Sequence, residues 1–206
     1  MKLKLFALSA ALVLGNSLVE AQTTKTQTQP FNITAESFAD LQILRYQVPG
    51  FEELSLSQKK LAYYLSEAAL AGRDIIYDQK GKYNLLVRKT IENIYTTYKG
   101  DKTSKDWNNF KVYAGRFWFS NGLHHHYGND KFVPAHSFEY FSQLVKNSAP
   151  TGFPLNKGET LNAFIQRLKP VIFDPSFQPK MVNQAPDIDN VKASSNNFYE
   201  GVTQKE

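Results

Sequence analysis

Between residues 103 and 122 the chain carries a pattern that admits one kind of local structure. Trp107, Phe110, Tyr113, Ala114 and Phe117 recur three and four apart, the spacing that stacks side chains on one face of an α-helix. Thr103 or Ser104 can cap the first turn of that helix, and Asn121-Gly122 breaks it. A face this apolar has to be buried against other elements, which makes these rings core rather than a cofactor box. No cysteine occurs, so disulfides contribute nothing and burial of apolar surface must hold the fold together. One core is feasible at this length, since a chain of about 150 residues buries roughly two thirds of its unfolded surface.

The spacing elsewhere predicts further helices. Ser55 and Gln58 form a capping box ahead of one apolar stripe made by Leu61, Tyr64, Leu65, Ala68, Gly72, Ile75 and Ile76. Ala68, Ala69, Ala71 and Gly72 are small enough to let a neighbouring helix pack closely on it. A second helix is predicted over 83–98, with Leu86, Ile91, Ile94, Tyr95 and Tyr98 inward and Gly100 as its stop. Shorter helices are predicted over 137–146 and 159–172, joined by a loop through Pro150, Gly152, Pro154 and Gly158. Residues 173–197, with Pro175, Pro179 and Pro186, are expected to be irregular. Nothing repeats at a period of about 20 to 50 residues, so a solenoid is not supported. The fold class is mainly α, with some β content that periodicity does not locate.

Residues 1–21 have the pattern of a secretory signal peptide: Lys2 and Lys4, an apolar run over 5–14, and Val19-Glu20-Ala21 as a small-residue cleavage site before Gln22. That run is short of the about 20 residues needed to cross a bilayer, so no stable membrane anchor is expected after cleavage. The expected location is exported, periplasmic or extracellular. Residues 22–37 begin as a Thr/Gln run and are expected to form a flexible polar leader, with structure starting near Phe38 and a single portion over 38–206. Lys plus Arg number 24 against 19 Asp plus Glu, a net charge of +5 that is scattered rather than gathered in a stripe. Nucleic acid is therefore not an expected partner.

The chemistry concentrates in residues 117–134, where aromatic rings, His124, His125, His126 and turn residues crowd together directly after a rigid helix. Adjacent histidines diverge on a helix, and in an extended segment only His124 and His126 share a side. His136 and Asp130 are further donors, but no spacing enforces a metal geometry. The expected role is a rim that hydrogen-bonds or stacks. Nucleophilic catalysis lacks a cysteine, a Gly-x-Ser-x-Gly elbow and any marked partner for Ser120. Phosphate-cradling glycine loops are also missing from the sequence. Glu52 and Glu53 are expected to be a solvated approach to a helix, and Glu200 is a carboxylate of the same general kind.

Tyr63-Tyr64-Leu65-Ser66, Ala68-Ala69 and Gly72, with Ser120-Asn121-Gly122 and Gly128-Asn129-Asp130-Lys131-Phe132-Val133-Pro134, resemble the amino-terminal region of the dipeptidyl peptidase III family in its exported Bacteroidetes form. The resemblance covers nearly all of residues 38–206. It implies a two-lobed zinc exopeptidase, α+β as a whole, that releases dipeptides from the amino end of oligopeptides. This chain would then be a helical part of the lower lobe. By the same resemblance, Phe132 matches an aromatic that contacts peptide, and Asn121, Gly122 and Tyr127 fall in the same substrate wall. A substrate-facing role for His124, His125 and His126 is an inference from their place between those anchors, with His124 and His126 the two that would share a side of an extended segment. The family's zinc-binding His-Glu-x-x-Gly-His and Glu-Glu-x-Arg-Ala segments do not occur, and no His-Glu dipeptide exists in the sequence. No catalytic residue and no metal ligand is therefore carried over; zinc is expected of the parent enzyme and not of this chain. Thr203 is placed to cap a helix that the sequence does not go on to supply. Accordingly, the expectation is an amino-terminal fragment whose missing partner is a carboxy-terminal catalytic lobe. An exported, non-catalytic helical module that binds peptide or ligand is the competing expectation.

Overall fold

The structure, a computed structural model, describes residues 31–196 and 198–206; the expected signal peptide and residues 22–30 of the leader lie outside the described residues. In chain order it runs β1 (Thr34–Phe38), β2 (Leu41–Leu44), α1 (Leu56–Ala71), α2 (Arg73–Lys80), α3 (Asn84–Thr97), α4 (Lys105–Ser120), α5 (Phe138–Lys146), α6 (Leu161–Phe173) and the single turn α7 (Asn190–Ala193). The described part is mainly helical, as the spacing predicts. No described helix is long and apolar enough to cross a membrane.

β1 and β2 form an antiparallel hairpin in the register Glu36↔Ile43, Ser37↔Gln42 and Phe38↔Leu41, with an irregularity between Thr34 and Glu36. Ala39 turns the chain at a left-handed φ of 49°. Residues 34–37, expected to belong to the flexible leader, lie in strand β1. The reason lies across the turn: each strand is too short to show a period of two, and pairing is what orders it.

The helix boundaries follow their caps. Ser104 Oγ accepts from the Trp107 N–H at 3.1 Å, Ser137 Oγ from Tyr140 N–H at 3.1 Å, and Thr160 Oγ1 from Ala163 N–H at 3.2 Å, each satisfying a donor that the first helical turn leaves open. The predicted rings of α4, Trp107, Phe110, Tyr113 and Phe117, are all buried. Around them pack Val87, Ile91 and Ile94 of α3, Phe141, Leu144 and Val145 of α5, and Phe164, Leu168 and Ile172 of α6. Each such side chain contributes about 1.5–3 kcal/mol relative to exposure. Tyr98 stacks on Trp107 at 5.2 Å, which in turn meets Phe110 at 5.2 Å. Asn93 ties the loop after α5 to α3 by donating to Ala149 O at 2.8 Å. Tyr95, expected inward, is 43 % exposed, because α3 turns Val87 and Ile91 to the core and carries Tyr95 to the edge.

α1 departs from its expected packing. The capping box is present: Gln58 N–H donates to Ser55 Oγ and Ser55 N–H to Gln58 Oε1. Yet none of its residues is buried. Leu61, Tyr64 and Leu65 are 59, 66 and 61 % exposed, and Ala68 and Ala69 are exposed as well, rather than covered by another helix among the described residues. Gly72 also divides the predicted stripe, so Ile75 and Ile76 start a separate helix and stay exposed while Tyr77 enters the core. Periodicity and caps act within four residues and make the helix; they do not name what covers it. At the far end, Thr203 N–H and Oγ1 donate to the Glu206 carboxylate at 2.9 and 3.1 Å, the reach-back half of a capping box.

Two histidines belong to the interior. His136 lies among Phe110, Tyr113, Tyr140, Phe141 and Phe173, with ring centroids 5.7–6.5 Å away. Its Nδ1 is 3.2 Å from Ser137 O, while Nε2 and the nearby Tyr113 hydroxyl have no protein partner. Burial holds both His136 and His124 below the ordinary histidine value of 6.5. The folded chain keeps them neutral where the unfolded chain takes up protons, so stability is full above about 6.5 and declines as pH falls below it. Urea midpoints should fall between about pH 7.5 and about pH 5, and less so in His136→Phe. A midpoint insensitive to pH over that range would show that neither imidazole is held neutral.

Candidate functional site

The end of α4 aims the site. Asn121 adopts the left-handed conformation, φ 53°, and Gly122 N–H closes the last turn by donating to Phe117 O at 3.0 Å. Gly122 sits at φ 149°, and a Cβ there would lie 2.5 Å from Asn84 Nδ2. Asn84 is wholly buried; its amide donates to Tyr77 O at 3.1 Å and accepts from Leu123 N–H at 3.1 Å. One side chain at the start of α3 thereby joins the end of α2 to the strand-like run after α4.

From Leu123 onward the backbone folds into a closed loop. Phe132 N–H donates to Leu123 O at 2.8 Å, His125 N–H to Asp130 O at 2.7 Å, and Asn129 N–H to His125 O at 3.1 Å. The segment 178–181 flanks it: Lys131 N–H donates to Pro179 O, Met181 N–H to Asn129 O, and Lys180 pairs with Asp130. Lys131 turns inward to donate to Asp174 O at 2.7 Å, Phe177 O at 2.8 Å and Pro170 O at 3.3 Å. Those carbonyls lie at and just beyond the end of α6, where a cation also opposes the negative end of the helix dipole. Burial pushes the Lys131 ammonium down to about 8.

The three adjacent histidines meet three environments. His124 is 3 % exposed, with Nε2 2.8 Å from Gln178 O and Nδ1 3.4 Å from Ser195 Oγ. His125 Nδ1 accepts from the N–H groups of Tyr127 and Gly128 at 3.2 and 3.0 Å, which leaves its proton on Nε2. His126 places Nδ1 3.3 Å from Ser120 Oγ and stacks on His125 at 4.5 Å. Desolvation, helped by the neighbouring His125 and Lys80, pulls His126 below the ordinary histidine value. Tyr127 adds its ring 4.3 Å from His126 and is 85 % exposed. Phe119 and Phe132 support this shelf edge-on, at 4.9 Å from His126 and 5.9 Å from His125. Beside it Arg116 holds Asp40 at the hairpin turn, 2.7 Å away, and keeps that carboxyl below the usual range.

The residues expected in a substrate wall therefore separate. His126 and Tyr127 stand on the shelf, and Asn121 is half-buried at its base. Gly122 and His124 are buried; the first is a close-packing position and the second a structural post, because the turn at 126–128 stacks His126 on His125 instead of on His124. Phe132 is half-buried against the core and supports the shelf rather than presenting a free face. The Asp40–Arg116 pair and Asn84 were not singled out by sequence reasoning, and Lys131 entered it only as part of a motif, since their roles come from partners 39 to 76 residues away; His125 was seen as one of three clustered histidines, and its local turn contacts are what the structure adds. Among the described residues the histidine nitrogens are largely committed within the protein. Both His124 nitrogens and His125 Nδ1 are engaged, His136 is caged by rings, and no group of three or more His, Cys, Asp or Glu among the described residues is arranged to hold a metal. Comparisons with protein-family models and with curated proteins return no match.

Gly122→Ala should cost about 2 kcal/mol or more, from strain at φ 149° and the clash with Asn84. Lys131→Met should cost about 1–3 kcal/mol by leaving three carbonyls without their donor. Urea unfolding measures both, and amide exchange over 123–132 should quicken in each variant. Unchanged exchange would mean that neither contact anchors the loop.

Proposed function

We propose that this chain is the amino-terminal part of an exported dipeptidyl peptidase III-like zinc exopeptidase and forms one wall of the cleft that holds its oligopeptide substrate. Zinc and the residues that activate water belong to a carboxy-terminal lobe outside these residues. The observation that carries the proposal is the shelf of His125, His126 and Tyr127, held outward on a loop tied at both ends. An exposed tyrosine ring offers a face to a peptide side chain, and the His125 Nε2–H is a donor for a peptide carbonyl. The uncovered stripe of α1 adds support. A helix of this length is marginal alone in water, and a further lobe would bury Leu61, Tyr64 and Leu65.

The core formed among α3, α4, α5 and α6 favours a second reading, an exported helical module that binds peptide or ligand without chemistry. Experiments on the 206-residue chain separate the two. An unblocked tetrapeptide should bind in calorimetry, with Tyr127→Ala weakening it by about tenfold, and no dipeptide should be released with zinc added. Zinc-dependent release by this chain alone would overturn the division of labour. An apolar dye should bind the wild type and bind less to a Leu61→Gln, Leu65→Gln double variant; no dye binding by the wild type favours the self-contained module.

A further inference from the structure

Under the hairpin lies a cavity of about 400 Å³, separate from the peptide shelf but touching it through Phe119, which lines the cavity and meets His126 on its other side. Its size falls in the range of small-ligand sites, about 300–1,000 Å³. Tyr95 and Trp118 line it as a perpendicular pair with centroids 5.3 Å apart, and Ile43 of β2 faces it. The hairpin is pinned at one end. Phe38 occupies the space that Gly115 leaves open, with ring carbon 2.6 Å from where a Cβ would stand, and Asp40 is held by Arg116. The cavity is also lined by opposite charges on two elements, Glu36 on β1 and Lys111 on α4. Neither takes part in an ion pair among the described residues.

We propose that this cavity binds a free aromatic amino acid. The ring packs against Tyr95 and Trp118, where an edge-to-face arrangement accepts a third ring. The α-ammonium meets Glu36 and the α-carboxylate meets Lys111. A ligand with a single charge forgoes one of these two charge-assisted contacts and an uncharged one forgoes both, so the pair favours a zwitterion. The proposal does not rest on the peptidase reading, because no residue of the shelf other than the shared Phe119 enters it.

Emission of the chain, which holds two tryptophans, Trp118 beside the cavity and Trp107 in the core, reports occupancy when L-phenylalanine is added. A saturable change at one ligand per chain is expected, and N-acetylphenylalanine amide should bind at least about tenfold more weakly. Glu36→Gln and Lys111→Gln alter exposed side chains and should each weaken L-phenylalanine by about tenfold with the far-ultraviolet spectrum unchanged. Val112→Trp, which fills the cavity, should abolish binding. No saturable change overturns the proposal, as does equal affinity for the blocked amide or indifference to both charge variants. Competition between L-phenylalanine and the tetrapeptide would make the cavity part of the peptide wall and would also overturn it. Failure of the tetrapeptide to bind, with L-phenylalanine still binding, would sink the peptidase reading and leave this site standing.

Discussion

The outward geometry of this molecule depends on how one buried helix ends. α4 is held by its aromatic face, and each large side chain there is worth about 1.5–3 kcal/mol of burial. A left-handed residue at Asn121 costs about 1–2 kcal/mol, and the αL cap also satisfies carbonyls of the last turn. The core wins that comparison, so the helix stays put and the chain leaves it in one direction. Gly122 then passes against Asn84 with no room for a side chain, and the loop that follows inherits its aim from α4 rather than from its own flexibility.

A contrast runs through the rest of the chain between elements that close on each other and elements that do not. α3, α4, α5 and α6 share one core. α1 is well capped but buries nothing, and strands β1 and β2 bury little beyond their turn, where Phe38 and Asp40 engage α4. Stable surface helices ordinarily place an apolar stripe against a partner. The α1 stripe is left without such a partner among the described residues.

His124, His125 and His126 show why residue type alone decides little. Neighbours in sequence, they become a buried post, an acceptor for two backbone donors, and a half-buried ring beside Ser120. The difference arises from a tight turn that leaves the second and third half-buried while the first, buried, pairs with Lys131 across an isolated bridge. With both His124 nitrogens and the Nδ1 atoms of His125 and His126 engaged inside the protein, ring faces and the Nε2 atoms of His125 and His126 are the part of the cluster's chemistry left over.

What was legible in the sequence was short in range. The rings of α4, the Ser104, Ser137 and Thr160 caps, the Ser55–Gln58 box and the Asn121-Gly122 break all act within about four residues, and local dihedral preference enforces them wherever the chain goes. The mainly helical class, the limits of α3, α4, α5 and α6 to within about two residues, and the position of the histidine loop after α4 came from these alone, while the break at Gly72 between α1 and α2 did not. Tertiary structure decided the remainder. Asn84 reaches Leu123 across 39 positions, His124 reaches Gln178 across 54, and Arg116 reaches Asp40 across 76; the hairpin, the fate of each histidine and the cavity under β1 and β2 follow from such pairs. No local pattern encodes them, because a hydrogen bond between distant segments exists only after burial of the core has brought the two together.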